Sequence, residues 1–358
     1  MSDIITDFID DKNENKKTSK SKSSSKKLAC GLDIGTMTLI LSRSDSESAI
    51  ITRNMFLEVD TDEVPITEFS DLKYVKADDN TYIIGDDAFK MANLFNKKVS
   101  RPMEQGMISP NEIDAVDVLA LMIKNMFCDI KDKDAYCSYS VPAEAIDMDR
   151  SVTYHSKVFT RILGAIGVNH TSCNEAMAVI YSECQKEQFS GIGISFGAGM
   201  CNVCCSYKGV EAFTFATSRS GDWIDTQASN SLNMTPNRVT NIKEKYLDLD
   251  KGFFTEKNKK RRRVLEALTY YYGAMMDYTI KNLINQFEEN FELEIDDDIP
   301  IVIAGGTSLI PGFLELFKET IKKHELPFEI SEIRMAKEPQ TAISRGLLIK
   351  TMSDIGLK

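Results

Sequence analysis

No apolar run in this 358-residue chain approaches the roughly 18 residues that would cross a bilayer. Its first residues are polar and lack the apolar stretch of a secretory signal. There is no excess of cations. Lys and Arg total 43 against 54 Asp and Glu, a formal charge of −11, which argues against general nucleic-acid binding. Histidine is scarce, and His155, His170 and His324 have no ligand spacing, so they read as surface or cap residues. Eight cysteines without secretory context read as thiols of a reducing compartment. The chain is therefore expected in the cytoplasm, with no transmembrane segment. What it does contain is 42% hydrophobic residues, enough for a large core, at a length that favours two domains.

The first 27 residues stand apart. Residues 16–27 are only Lys, Ser and Thr. Such a segment cannot bury enough apolar surface to order itself, so 1–27 is expected to be a disordered tail. Within it, Ile4, Ile5, Phe8 and Ile9 recur at helical spacing over residues 4–11. This octet reads either as a frayed terminus or as a short peptide that docks a protein partner. Its aspartates argue against an anionic lipid surface.

From residue 28 onward strands and helices alternate. Three glycine-containing segments follow or end apolar runs: Gly31-Leu32-Asp33-Ile34-Gly35-Thr36, Ile194-Ser195-Phe196-Gly197-Ala198-Gly199 and Ile303-Ala304-Gly305-Gly306-Thr307-Ser308. Strand–glycine turn–strand patterns occur at 28–34 with 37–42, and again at 191–194 with 201–207. The repeat reads as an internal duplication, two mixed sheets flanked by helices, with a ligand cleft between similar halves. Two unrelated hairpins would give the same local pattern. Helices are expected at 86–94, 111–127, 149–163, 173–183, 262–287 and 312–324, and further strands at 82–85, 135–141 and 300–304.

These segments resemble the actin-like ATPase superfamily, and within it the bacterial filament branch of MreB and MamK. The resemblance covers nearly everything after Lys27. Besides the three glycine segments, it rests on Ile84-Gly85-Asp86-Asp87-Ala88, Arg101-Pro102 with Gly106-Met107-Ile108, and Ser140-Val141-Pro142. Asn174-Glu175-Ala176-Met177-Ala178, Ser220-Gly221-Asp222-Trp223-Ile224-Asp225 and Asn241-Ile242-Lys243-Glu244-Lys245 complete it. It implies an α/β, actin-like fold of two duplicated domains around a nucleotide cleft. Domain I would take 28–170 plus 335–358. Domain II would take 171–334, with a subdomain at about 218–263.

The resemblance also assigns roles. Gly31, Gly35 and Thr36 would hold one side of the phosphate chain of ATP, and Gly197, Ala198 and Gly199 the other. Glycine suits this because it has no Cβ to keep backbone N–H groups from phosphate oxygens. Asp33 would reach magnesium through its water shell, since magnesium dehydrates reluctantly; on local sequence alone it could equally cap its own turn. Glu175 would orient the attacking water, or be an ordinary first-turn glutamate. Gly305, Gly306 and Thr307 would meet the adenosine, with Lys243 and Glu244 beside base and ribose.

The second loop departs from the family pattern Asp-x-Gly-x-Gly-Thr-Thr/Ser-Asp. Ser195 replaces the first Asp, and Met200-Cys201-Asn202 replace the last three residues. Phosphoryl transfer depends on positioned charge and metal, so ATP binding is expected with slow hydrolysis. Cys201 and Cys204 spell Cys-x-x-Cys, but on a strand they point to opposite faces and cannot share a metal ion. Residues 257–263 hold six cations in seven and read as a solvated loop, or as a surface for an anionic partner.

The leading expectation is a cytoskeletal protein that assembles into filaments by self-association. The alternative is a non-polymerising actin-like regulator or scaffold. A small-molecule kinase of the same fold is disfavoured, because no conspicuous catalytic Asp or substrate-binding insertion is identifiable.

Overall fold

The computed structural model describes residues 27–59, 72–77, 80–95, 97–130, 134–290 and 298–357. The tail before Lys27 and the amphipathic octet 4–11 lie outside the described residues. Contacts divide the chain into two compact units. The first takes Met1–Val141, Ser151–Cys173 and Leu347–Lys358, and the second Pro142–Arg150 and Asn174–Gly346.

In the first unit, β1 (Lys27–Ile34) and β2 (Thr38–Arg43) form an antiparallel hairpin, and β3 (Ile50–Arg53) pairs with β2. Strands β4 (Phe56–Val59), β5 (Tyr74–Ala77) and β6 (Asn80–Ile84) make a small sheet in the order β4-β6-β5, and α1 (Gly85–Phe95) follows. A two-stranded ribbon, β7 (Met103–Glu104) with β8 (Met107–Ile108), precedes α2 (Ala115–Met126). Strand β9 (Asp134–Val141) lies parallel to β1, and after α3 (Val152–Ile166) β10 (Asn169–Asn174) adds the edge. The main sheet runs β10-β9-β1-β2-β3. Strand β1 is buried from Leu28 to Ile34, which its unbroken run Leu-Ala-Cys-Gly-Leu-Asp-Ile allows in a sheet covered on both faces.

The second unit repeats the plan. It opens with α4 (Glu175–Glu183), then β11 (Gly191–Phe196), β12 (Cys201–Tyr207) and β13 (Val210–Thr217) as an antiparallel meander. Helices α5 (Gly221–Leu232), α6 (Pro236–Tyr246) and the 31-residue α7 (Lys259–Glu289) follow. Strand β14 (Ile299–Ala304) is parallel to β11, a 3-10 turn occupies Gly306–Leu309, and α8 (Phe313–Ile321) leads to β15 (Ile330–Met335). Helix α9 (Ala342–Asp354) ends the fold. The sheet order β15-β14-β11-β12-β13 matches that of the first unit strand for strand, so the duplication expected from the two hairpins is present.

Three expectations are corrected or sharpened. His155 is not a surface residue: it is buried in α3, its ring 4.7 Å from that of Phe159. The basic run does not form a loop. Asn258 caps α7, its side chain accepting from the N–H groups of Lys260 and Arg261, and the cations fill the helix's first turn. Cys201 and Cys204 do face opposite ways: Thr279 of α7 meets Cys201, while the Cys204 thiol points to Met177 of α4. None of the eight cysteines is in a disulfide. Among the described residues no helix is long and apolar enough to cross a membrane.

Candidate functional site

Each hairpin turns on a glycine in the same way. The Gly35 N–H donates to Thr38 O at 3.0 Å, and the Gly197 N–H donates to Met200 O at 3.0 Å. A Cβ at Gly35 would stand 2.9 Å from Thr38 O, and one at Gly197 2.9 Å from Met200 O. Both positions therefore require glycine for the closeness of the turn, and both amides are occupied inside it. Gly31 lies in the body of β1, paired with Ser42 on one side and Ser138 on the other.

Two residues before each turn glycine stands a buried polar residue: Asp33 in the first unit, Ser195 in the second. Asp33 is buried, and Ser140 of the neighbouring β9 donates its hydroxyl to Asp33 Oδ1 at 3.1 Å. The same Ser140 oxygen accepts from the Ile34 N–H at 2.7 Å, which fixes the end of β1. Burial pushes the Asp33 carboxyl up to about 7, and the Ser140 hydroxyl pulls the other way. Thr36 is held by the Gly106 N–H, which donates to its Oγ1 at 2.9 Å. Asn54 Nδ2 donates to Gly35 O at 2.9 Å, closing the loop from behind.

In the second unit Ser195 is 1% exposed, and its hydroxyl has no partner among the described residues. Directly across the hairpin from it is Asn202. Asn202 Nδ2 donates to Glu175 Oε2 at 2.9 Å, and its Oδ1 accepts from the Ala143 N–H at 2.9 Å. Glu175 opens α4, where Asn174 caps the helix by accepting from the N–H groups of Ala176 and Met177. The helix N-terminus favours the Glu175 carboxylate, and the neutral Asn202 amide holds it.

The Gly197 carbonyl joins the remaining segments. It accepts from the Thr307 hydroxyl at 2.7 Å, from the Ser220 hydroxyl and, at 3.2 Å, from the Gly221 N–H. Asp222 N–H donates to Ala198 O at 2.8 Å. The loop Gly197-Ala198-Gly199, the start of α5 and the 3-10 turn are thus brought together. The two glycines of the third segment differ. Gly305 has φ +96°, and a Cβ there would strike the backbone of Phe196; Gly306 opens onto space, with nothing within 4 Å of its would-be Cβ. Gly305 serves packing, and Gly306 presents the open surface.

Lys243 and Glu244 are not placed alike. Lys243 Nζ pairs with Asp225 Oδ2 at 2.8 Å, beside the Thr240 hydroxyl that donates to the same oxygen, whereas Glu244 is exposed. Burial raises the Asp225 carboxyl above its ordinary range, against the pull of Lys243. Its other oxygen, Oδ1, is buried without a partner among the described residues. Ser140, Asn202, Asp225 and Ser220 carry the site with the residues read from sequence. All four lie in segments singled out from the sequence, Asn202 in the second loop, Ser220 and Asp225 at the α5 start and Ser140 in Ser140-Val141-Pro142, but none was assigned a role there.

Among the described residues no group of three or more His, Cys, Asp or Glu could hold a metal by itself. A single carboxylate such as Asp33 fits magnesium, which keeps several waters and takes one or two carboxylates together with ligand phosphates.

The Volactin family profile matches residues 28–351. No curated protein sequence matches. Among solved structures, a MamK double helical filament superposes with a TM-score of 0.69 at 17% identity, covering 90% of this chain and 98% of the other. The ADP-bound MreB5 of Spiroplasma citri gives 0.62 at 12% identity, covering 92% and 97%. A non-polymerising mutant of MamK bound to AMPPNP gives 0.59 at 18% identity, covering 92% and 99%. The fold is actin-like.

Proposed function

The chain belongs to the Volactin family, and on that premise we propose that it binds ATP with magnesium, assembles into cytoplasmic filaments and hydrolyses the nucleotide slowly. The observation that carries this reading is the twice-built turn: Gly35 with Thr38 and Gly197 with Met200, each two residues after a buried polar residue, Asp33 and Ser195. Two of the solved structures it resembles hold AMPPNP or ADP, and one is a filament.

The residues divide the work as follows. Gly35 and Thr36 in the first unit, and Gly197, Ala198 and Gly199 in the second, shape the loops that face the phosphates, and Gly31 stands in the strand that leads into the first of them. Asp33 is the magnesium-side carboxylate, and magnesium when bound supplies charge neutralisation to the phosphates. Gly306 and Thr307 face the adenosine, with Gly305 keeping the turn against Phe196, and Lys243 and Glu244 border the base and ribose. Glu175 holds the water-orienting position, fixed by Asn202. The second loop offers no charge of its own, because Ser195 and Asn202 are both neutral. Binding is thereby retained while the reacting water is less strongly polarised, which makes turnover slow.

Thermal unfolding with and without ATP and magnesium tests the binding half. A ligand at a hundredfold excess over Kd stabilises by about 2.7 kcal/mol. The expected result is a clear upward shift with ATP and magnesium. No shift with either ATP or GTP would overturn the reading. A second reading, a non-polymerising regulator or scaffold, is favoured by one observation, the neutral pair Ser195 and Asn202 in the second loop.

A further inference from the structure

The second unit holds a cavity of about 590 Å³ between the end of α5, one face of α6 and the first turn of α7. Its size lies within the roughly 300–1,000 Å³ of ordinary ligand pockets. Arg238, Asn241, Ile242 and Lys245 line it from α6, the i, i+3, i+4, i+7 face of that helix. Lys243 and Thr240 leave α6 elsewhere, towards Asp225, so the cavity is separate from the candidate nucleotide residues.

The lining is of two kinds. Leu232, Met234, Ile242 and Val264 make an apolar floor. Arg238, Lys245, Lys260, Arg261 and Arg263 make a cationic rim. Glu256 pairs with Arg261 at 2.7 Å, and the same guanidinium lies 3.9 Å from the centre of the Tyr246 ring. Among the described residues no carboxylate pairs with Arg238, Lys245, Lys260 or Arg263. Three of the five cations, Lys260, Arg261 and Arg263, sit near the N-terminus of α7, where the helix dipole disfavours them, and of these three Arg261 is offset by Glu256. This crowding opposes folding in isolation and is relieved by an anionic, partly apolar occupant.

The chain carries a segment of that chemistry. Residues 3–11 read Asp-Ile-Ile-Thr-Asp-Phe-Ile-Asp-Asp, four carboxylates interleaved with Ile4, Ile5, Phe8 and Ile9. We propose that this N-terminal segment docks in the basic-rimmed cavity of the second unit, its apolar side chains on the floor formed by Leu232, Met234, Ile242 and Val264 and its aspartates on the cationic rim. The occupant is this chain's own segment, from the same copy or a second copy. Association of this kind is driven by apolar burial and oriented by the charges, so it weakens with salt.

Carbodiimide cross-linking of the full chain tests this, because it joins a carboxylate to an amine only at contact. The expected products link Asp7, Asp10 or Asp11 to Lys245 or Lys260. Equal mixtures of isotope-labelled and unlabelled chain report whether the link is within or between copies. In Phe8→Ser/Ile9→Ser, and in Arg238→Glu/Arg263→Glu, the yield should fall at least fivefold, with an unchanged circular dichroism spectrum in the tail variant. Should the pocket variant fail to fold, the tail variant alone still decides. Links confined to the chain's own residues 16–27, or links to Lys245 and Lys260 that survive Phe8→Ser/Ile9→Ser, would overturn the proposal.

Discussion

Asn202 Nδ2 donates to Glu175 Oε2 at 2.9 Å, while the other end of the same amide accepts from the Ala143 backbone. A carboxylate at position 202 would keep the Ala143 contact and lose the Glu175 one, placing two anions at hydrogen-bond distance. Asn202→Asp should therefore lower stability by about 1–3 kcal/mol in magnesium-free buffer, the cost of a lost charged hydrogen bond plus repulsion. Thermal unfolding checks it; an unchanged midpoint would mean that the amide does not hold the glutamate.

Glu175 is assigned to the water and not to the nucleotide. Glu175→Ala should lower phosphate release by about tenfold or more while leaving ATP affinity within about twofold. Full activity in this variant would remove Glu175 from the reaction. Ser195→Asp, which restores the missing carboxylate, should move the rate upward.

The two glycines of the third segment separate folding from binding. Gly305 sits at positive φ against Phe196, so Gly305→Ala should destabilise by more than about 1 kcal/mol with or without nucleotide. Gly306 opens onto space, so Gly306→Asp should melt like the parent without ligand and lose the ATP-induced shift. Thermal unfolding of both variants, with and without ATP, tells them apart; equal loss of stability in both would contradict the assignment.

Burial raises the Asp33 carboxyl from 3.8 to about 7 in the folded protein. Folding thus favours the protonated form. The stability this contributes is complete below about pH 4 and is lost as pH rises through about 7. Without nucleotide and magnesium, the melting temperature of the parent relative to Asp33→Asn should fall across that window and level off above it. A difference that stays constant from about pH 4 to 8 would contradict the burial argument.

The architecture was legible where apolar runs met glycine: both hairpins, β9, β14 and the long α7 follow from such runs and from helical spacing. The edges were not. Strand β3 is short, β15 is unburied, and β15, Ile-Ser-Glu-Ile-Arg-Met, has no continuous apolar run to announce it. In the site, Asp33, Glu175 and the turn glycines carry a sequence pattern. Ser140 stands in the Ser-Val-Pro segment, but its contact with Asp33 is not legible there, because it reaches across from a parallel strand 107 residues away. Gly305 and Gly306 read alike in sequence and differ only once Phe196 is packed against one of them. His155 was misread because one histidine on a helix face gives no sign of whether that face is buried.

Filament assembly is the central claim, and sedimentation measures it most directly. A head-to-tail contact that does not close on itself builds open polymers. High-speed pelleting of the full chain, with negative-stain imaging of the pellet, should show filaments with ATP and magnesium and little pellet without nucleotide, and deletion of residues 1–26 should leave the assembly intact. A monodisperse monomer at high concentration, across nucleotides and salts, would contradict the account and favour the regulator reading.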